Sequence, residues 1–218
     1  MIALIDYKAG NLTSVRKAFA AIGADISVPA APRDLDRARG IVVPGVGHFA
    51  ATAALDRDWV GAIRAHVERG RPLLGICLGM QWLFDGSDEA PGLPGLGLLA
   101  GRCYRLSGHP PPSAATGGQG AGTTLKIPHV GWNSLDLRRR TPLVSGVAPG
   151  AQVYFTHSYA APVTGDTVAV TEHGEPFAAI VEREGVAGVQ FHPEKSGDVG
   201  LQILRNWLAH ADLSGQAS

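Results

Sequence analysis

The stretch PLLGICLGMQWL, residues 72–83, joins an apolar run to a cysteine with a glycine two positions away on either side. The short apolar run predicts a buried strand, and MQWLF predicts a turn into a helix. The form Gly-x-Cys-x-Gly is the cysteine counterpart of the Gly-x-Ser-x-Gly nucleophile elbow. Backbone N–H groups at such a helix start lower a thiol pKa and hold an oxyanion. A buried structural cysteine is the alternative that this stretch alone leaves open.

Apolar strands and amphipathic helices alternate around this stretch. IALIDY, ADISV and GIVVPGVG read as strands, whereas NLTSVRKAFAAIG and VGAIRAHVERG carry apolar residues at helical spacing. This alternation predicts an α/β fold with an open, mostly parallel sheet flanked by helices. After about residue 97, short segments such as AQVYFTHSYA and PFAAIVERE predict additional antiparallel strands, and SGDVGLQILRNWLAHA predicts a last helix.

The chain is expected to form one domain over residues 1–218, because its 218 residues are enough for one sizeable core. Residues 107–124 are rich in Pro, Gly, Ala and Ser, which predicts a flexible surface loop.

The composition excludes several classes of protein. Hydrophobic residues make up 45% and charged residues 17%, which indicates a folded globular chain. Lys and Arg together number 19, and so do Asp and Glu together, so no net charge attracts nucleic acid or an anionic membrane. Two cysteines, Cys77 and Cys103, do not make a disulfide framework, and Cys103 is expected to be structural. The N-terminal apolar run is too short for a signal peptide or a membrane span, and we expect a cytoplasmic protein.

A thiolate nucleophile needs a base, and the segment GVQFHPEKS offers one. Pro193 favours an extended backbone at His192, and in an extended chain His192 and Glu194 point to one face. Together with Cys77 they form a possible Cys–His–Glu triad, in which the carboxylate orients the imidazole. An exposed His and Glu on a loop remain the alternative. The sequence contains neither H-E-x-x-H nor P-C-x-x-C, so we expect no metal and no cofactor.

The segments PGVGHF, GICLGMQ and FHPEKS together resemble the class I, triad-type glutamine amidotransferases, whose domain is flavodoxin-like. Within that class, DYKAGNLTSV, KIPHVGWN and YFTHSY are similar to the glutaminase subunits of imidazole glycerol phosphate synthase. The similarity runs over nearly the whole chain. The resemblance implies that L-glutamine is the substrate and that glutamate and ammonia are the products.

The resemblance also implies roles for individual residues. Cys77 would attack the glutamine side-chain amide to form a thioester, with His192 as base and Glu194 as the group that orients it. The oxyanion hole would use backbone N–H groups of Leu78 and of Val46 or Gly47. Glutamine would be held by Gln81, Ser158 and Tyr159.

The resemblance further implies a partner, a (β/α)₈-barrel cyclase subunit that forms a 1:1 heterodimer with this chain. The barrel would receive the ammonia and make imidazole glycerol phosphate and AICAR in histidine biosynthesis. Trp132 and Tyr154 are the expected interface residues, although both could be core residues. In this family the oxyanion loop is thought to be only partly arranged until the partner holds its own substrate.

Three other functions stay open at this point. The chain could be the glutaminase subunit of another ammonia-channelling synthase. It could also be a partner-independent cysteine hydrolase on the same scaffold, or a binding module that keeps the fold without the activity.

Overall fold

A computed structural model describes residues 1–109 and 124–214 of the chain. Most of the expected loop at 107–124 therefore lies outside the described residues. The strands are β1 (Ile2–Leu4), β2 (Ile26–Ser27), β3 (Gly40–Val43), β4 (Leu73–Ile76), β5 (Gly86–Ser87), β6 (Arg102–Arg105), β7 (His129–Ser134), β8 (Asp136–Leu137), β9 (Gln152–His157), β10 (Tyr159–Ala160), β11 (Thr167–His173), β12 (Glu175–Arg183) and β13 (Val186–Val189). The α-helices are α1 (Leu12–Ala21), α2 (Arg57–Glu68), α3 (Leu78–Trp82) and α4 (Gly197–Ser214).

Eight strands form the main sheet in the order β2-β1-β3-β4-β13-β12-β11-β8. The pairs from β2 to β13 are parallel, and the pairs from β13 to β8 are antiparallel. This confirms the expected mostly parallel sheet with additional antiparallel strands. In the register of β4 and β13, Ile76 is opposite Val189, so the residues that follow these two strands come out side by side.

The parallel strands are apolar throughout because both faces of the sheet are covered. Along β1, Ile2 and Leu4 belong to one buried apolar cluster, whereas Ala3 belongs to another. The first cluster includes Phe19 of α1 and Trp207 of α4, and the second includes Ile63 of α2. Helices therefore cover the sheet on both sides, as the alternating sequence pattern predicts.

Helix ends follow local capping signals. Asn11 accepts a hydrogen bond from the Ser14 N–H at 3.3 Å before α1, and Asp56 accepts from two N–H groups before α2. Such caps satisfy backbone donors that have no partner inside the helix. The expected helix after Cys77 is short, since α3 spans only five residues. In the described part of the chain, no helix combines the length and the apolar character needed to cross a membrane.

Two smaller sheets complete the fold. One contains β10, β6 and β5, and the other pairs β7 with β9 in antiparallel register. In this second sheet His129 is opposite His157, and Trp132 is opposite Tyr154. The segments KIPHVGWN and YFTHSY, which are distant in sequence, are therefore direct neighbours.

Candidate active site

Cys77 lies in a strained turn between β4 and α3. Its backbone has φ 53° and ψ −108°, a conformation that a residue with a Cβ adopts only at an energetic cost. The turn is held in place because the Cys77 N–H donates to the Val189 carbonyl at 2.7 Å. The thiol is almost fully buried, at 5% exposure, and lies at the carboxyl edge of the parallel strands. Reactive groups of open α/β sheets occupy this edge.

The glycines that flank Cys77 are needed for close packing. A Cβ on Gly79 would lie 1.8 Å from the Val43 carbonyl oxygen, and one on Gly75 would lie 2.7 Å from the backbone of Gly79. The unusual turn conformation does not lie at these glycines. Cys77 itself takes the positive φ, and the glycines let α3 pack directly against β3 and β4.

His192 and Glu194 form a buried pair beside Cys77. The His192 Nδ1 and the Glu194 Oε1 are 2.8 Å apart, and both side chains are 2% exposed. The expected extended backbone is present at His192 but does not continue to Glu194. Pro193–Lys195 form a 3₁₀ turn, which brings the carboxylate round to the imidazole. The two side chains therefore meet, although through a turn and not along an extended strand.

The surroundings of His192 favour its charged form. Burial lowers the pKa of the imidazole, but the Cys77 thiol and the Glu194 carboxylate outweigh this effect and raise the pKa to about 10. Nδ1 is occupied by Glu194, and Nε2 has no regular hydrogen bond among the described residues. Nε2 is therefore available to exchange a proton with the thiol.

A small pocket of about 190 Å³ opens in front of the thiol. Its lining includes six residues that the sequence predicted for the site, namely Gly47, Cys77, Leu78, Gln81, Ser158 and Tyr159. Pockets for drug-sized ligands are larger, so this one suits a small molecule. Gln81 is buried, and its Nε2 donates to the Tyr159 carbonyl at 2.7 Å. The structure thus brings residues from three distant segments into one lining.

The loop of residues 44–47 lies beside the pocket, and the backbone N–H of Val46 is already engaged. One peptide unit, between Gly45 and Val46, is held on both sides. Its N–H donates to the Ala9 carbonyl at 2.8 Å, and its carbonyl accepts from the Leu78 N–H at 3.4 Å. In this arrangement the N–H groups of Val46 and Leu78, two of the expected oxyanion donors, point at carbonyl groups of the protein.

Two residues near the thiol were missed by the sequence reasoning. Glu89 lines the pocket, and its carboxylate accepts the Phe49 N–H at 2.7 Å. Gln190 is fully buried, and its Nε2 donates to the Cys77 Sγ at 3.6 Å. A signal for Gln190 was present, since it is the one polar residue in the apolar run VAGVQF. Glu89 carried no comparable signal because it follows Asp88 in an ordinary acidic loop.

The expected interface residues lie next to the pocket but outside it. Trp132 is 57% exposed, and its ring packs edge-on against Tyr154 with centroids 6.0 Å apart. The Lys195 Nζ lies 5.8 Å from the centre of the Tyr154 ring. The strand pair β7–β9 therefore presents an aromatic surface to solvent while its other end contributes Thr156 and His157 to the pocket.

Within residues 1–109 and 124–214, no three His, Cys, Asp or Glu side chains are grouped so that they could hold a metal ion.

Comparisons with known proteins identify the family of this chain. The family "Glutamine amidotransferase class-I" matches residues 3–211. Two curated relatives are each described as imidazole glycerol phosphate synthase subunit HisH. The one from Gloeobacter violaceus is 46% identical over 96% of this chain and 89% of its own length, and the one from Geobacillus kaustophilus is 45% identical over 97% of each.

A crystal structure of a glutamine amidotransferase superposes with a TM-score of 0.71 over 97% of this chain and 100% of its own, at 18% identity, which supports the fold. The extent of the family match and the identity to the curated relatives decide the assignment. The chain belongs to the class I glutamine amidotransferases and, among them, to the family of the imidazole glycerol phosphate synthase subunit HisH.

Proposed function

We propose that this chain hydrolyses L-glutamine at Cys77 and passes the ammonia to the cyclase subunit of an imidazole glycerol phosphate synthase. The observation that carries the proposal is the Cys77 thiol, held in a strained turn beside the buried His192–Glu194 pair. A structural cysteine would need neither the strain nor a buried charged pair at its side. The identity to HisH relatives supports histidine biosynthesis as the setting.

In the proposed reaction His192 carries the thiol proton on Nε2, in line with its raised pKa, and the Cys77 thiolate attacks the side-chain amide carbon of glutamine. Glu194 holds Nδ1 and stabilises the imidazolium. The tetrahedral intermediate collapses as His192 returns the proton to the departing ammonia, which leaves a γ-glutamyl thioester. Water, deprotonated by His192, then hydrolyses the thioester and releases glutamate, so that glutamine and water become glutamate and ammonia.

The pocket lining supports glutamine as the substrate. Glu89 supplies a carboxylate that can pair with the α-ammonium group, and Gln81, Ser158 and Tyr159 supply polar groups around it. Gln81 reaches the Tyr159 carbonyl, so we assign it to holding the pocket wall as well as the substrate.

We infer that the loop at residues 44–47 rearranges before the reaction. A rotation of the Gly45–Val46 peptide unit would release the Leu78 N–H from the Gly45 carbonyl and turn the Val46 N–H away from Ala9. Both N–H groups, or that of Gly47, would then be free to stabilise an oxyanion. The free chain would accordingly be a weak glutaminase, and the partner would shift the loop toward its active arrangement.

The proposed partner is a (β/α)₈-barrel cyclase subunit in a 1:1 complex that covers Trp132 and Tyr154. The exposure of Trp132 supports this surface, since aromatic side chains anchor protein interfaces. The expected cytoplasmic location remains part of the proposal and is supported by the two free cysteines.

A glutaminase assay on the purified chain tests this function, alone and with a barrel cyclase subunit that carries its ribonucleotide substrate. We expect weak activity alone, a large increase with the loaded partner, and loss in Cys77→Ala. Equal activity with and without the partner would instead identify a partner-independent hydrolase. Full activity in Cys77→Ala would exclude the thioester mechanism.

A further inference from the structure

Gln190 lies directly behind the nucleophile, in the first position after β13. Its side chain is fully buried, and its Nε2 donates to the Cys77 Sγ at 3.6 Å. We propose that Gln190 is a further catalytic residue, whose carboxamide holds the Cys77 sulfur in place and stabilises its negative charge during attack. This inference rests on the proposed role of Cys77 as nucleophile.

The orientation of the Gln190 carboxamide is fixed by its neighbour. Gln81 Nε2 donates to the Tyr159 carbonyl at 2.7 Å and to the Gln190 Oε1 at 3.2 Å. An amide nitrogen has two hydrogens, so both donors of Gln81 are used. Because the Gln190 oxygen accepts from Gln81, its nitrogen is the atom that faces the sulfur.

The Tyr159 carbonyl is in turn anchored by a pair of histidines. His157 Nδ1 lies 2.9 Å from that carbonyl, and His129 Nδ1 lies 3.2 Å from His157 Nε2. Burial lowers the pKa of His157 to about 3 and that of His129 to about 4, so both rings are neutral at neutral pH. His157 therefore donates through Nδ1 and accepts from His129 through Nε2. A continuous hydrogen-bonded chain thus runs from β7 to the sulfur.

The chemistry of the contact favours a charged sulfur. A thiol is a weak hydrogen-bond acceptor, so it compensates poorly for the burial of an amide N–H. A thiolate accepts a charge-assisted hydrogen bond, which is about twice as strong as a neutral one. The neighbours Val189 and Phe191 are fully buried, and an apolar residue at 190 would fill the same space without that cost. The position of the amide is therefore explained by the thiolate.

Alkylation of Cys77 by iodoacetamide tests the proposal without depending on glutaminase activity. The rate is measured against pH for the wild type and for Gln190→Met, which keeps the length and shape of the side chain but removes the donor. The modified residue is located by mass spectrometry. We expect the midpoint of the Gln190→Met profile to move up by about one pH unit or more. Gln202→Met on α4 is the matched control and should leave the profile unchanged.

Steady-state kinetics with the loaded partner give a second readout. Since Gln190 is buried and contacts the sulfur, we expect kcat at neutral pH to fall about tenfold in Gln190→Met while KM changes less than about twofold. If circular dichroism shows that Gln190→Met is unfolded, Gln190→Asn replaces it, because its shorter amide cannot reach the sulfur.

An alkylation profile that superimposes on that of the wild type, in either folded variant, overturns the proposal. A wild-type chain that alkylates normally but never hydrolyses glutamine would instead overturn the proposed function. The role of Gln190 would then still be decided by the shift of the alkylation midpoint in Gln190→Met.

Discussion

The backbone strain at Cys77 has a measurable consequence for stability. At ordinary positions glycine is less stable than alanine by about 0.5–1 kcal/mol. At the φ of 53° and ψ of −108° of Cys77, the Cβ of alanine is strained and glycine is not. We therefore expect Cys77→Gly to be more stable than Cys77→Ala, with a free energy of unfolding that is higher by about 1 kcal/mol in urea titrations.

Cys103 provides the matched control for this pair, because it is also buried but lies in the regular strand β6. There the usual order should hold, with Cys103→Ala more stable than Cys103→Gly. The same order at both cysteines would show that residue 77 is not strained.

The His192–Glu194 pair predicts a pH dependence of stability. The pKa of His192 is raised to about 10 in the folded chain, above its ordinary value of 6.5. Its contribution to stability is therefore complete below pH 6.5 and is lost as the pH rises toward 10. In Glu194→Gln one of the groups that raises the pKa of His192 is gone. The free energy of unfolding of this variant, measured with urea, should therefore fall less between pH 6.5 and 10 than that of the wild type. Glu68→Gln at the exposed end of α2 is the control, and an identical loss in Glu194→Gln would contradict the prediction.

The candidate site was predictable from the sequence only where side chains carry the chemistry. Cys77, His192 and Glu194 stand in short motifs whose residue types imply their roles. The engaged N–H groups of Val46 and Leu78 left no trace in the sequence, because tertiary contacts decide where a backbone N–H points. Gln190 stands out as the polar residue of an apolar run, but only the register of β13 against β4 brings it to the sulfur.

Packing at the level of the elements is most sensitive at Gly79. A Cβ there would overlap the Val43 carbonyl oxygen, so α3 would have to move away from β3. We expect Gly79→Ala to lower the free energy of unfolding by about 3 kcal/mol or more, by urea titration. Gly61 in α2 is the matched control, because nothing lies within 4 Å of an added Cβ. Gly61→Ala should raise stability by about 1 kcal/mol. A Gly79→Ala chain as stable as the wild type would contradict the close packing.

Elements that are marked by an apolar run or by apolar residues at helical spacing were easier to predict than those that depend on strand pairing. The helices α1, α2 and α4 and the strands β1, β3 and β4 follow from apolar spacing and from glycines at their ends. The helix α3 is only five residues long, which is too short for a periodic signal. The separate pairing of β7 with β9 joins residues that are 18 to 28 positions apart, and no local pattern encodes it.

At the scale of the whole molecule, the sheet gathers distant segments at one edge. The parallel register of β4 and β13 places Cys77 next to the segment that carries Gln190 and His192. The antiparallel pair β7–β9 then closes the pocket on one side and carries Trp132 outward. One wall of the pocket, at Thr156 and His157, and the exposed aromatic surface therefore share one strand pair, so an event at that surface has a short route to the thiol.

The exposed aromatic surface gives the last prediction, which concerns the complex with the cyclase subunit. Trp132 is 57% exposed in the free chain, so Trp132→Ala should change the stability of this chain little. If Trp132 anchors the interface, its truncation should cost about 2 kcal/mol of binding, or roughly a thirtyfold rise in Kd by titration calorimetry. Glu68→Ala, at the end of α2 that leads into the start of β4, lies toward the opposite edge of the sheet and should leave Kd unchanged. An unchanged Kd in Trp132→Ala would show that the interface does not include Trp132 on β7. The short route from the partner to Cys77 through β7–β9 would then be excluded as well.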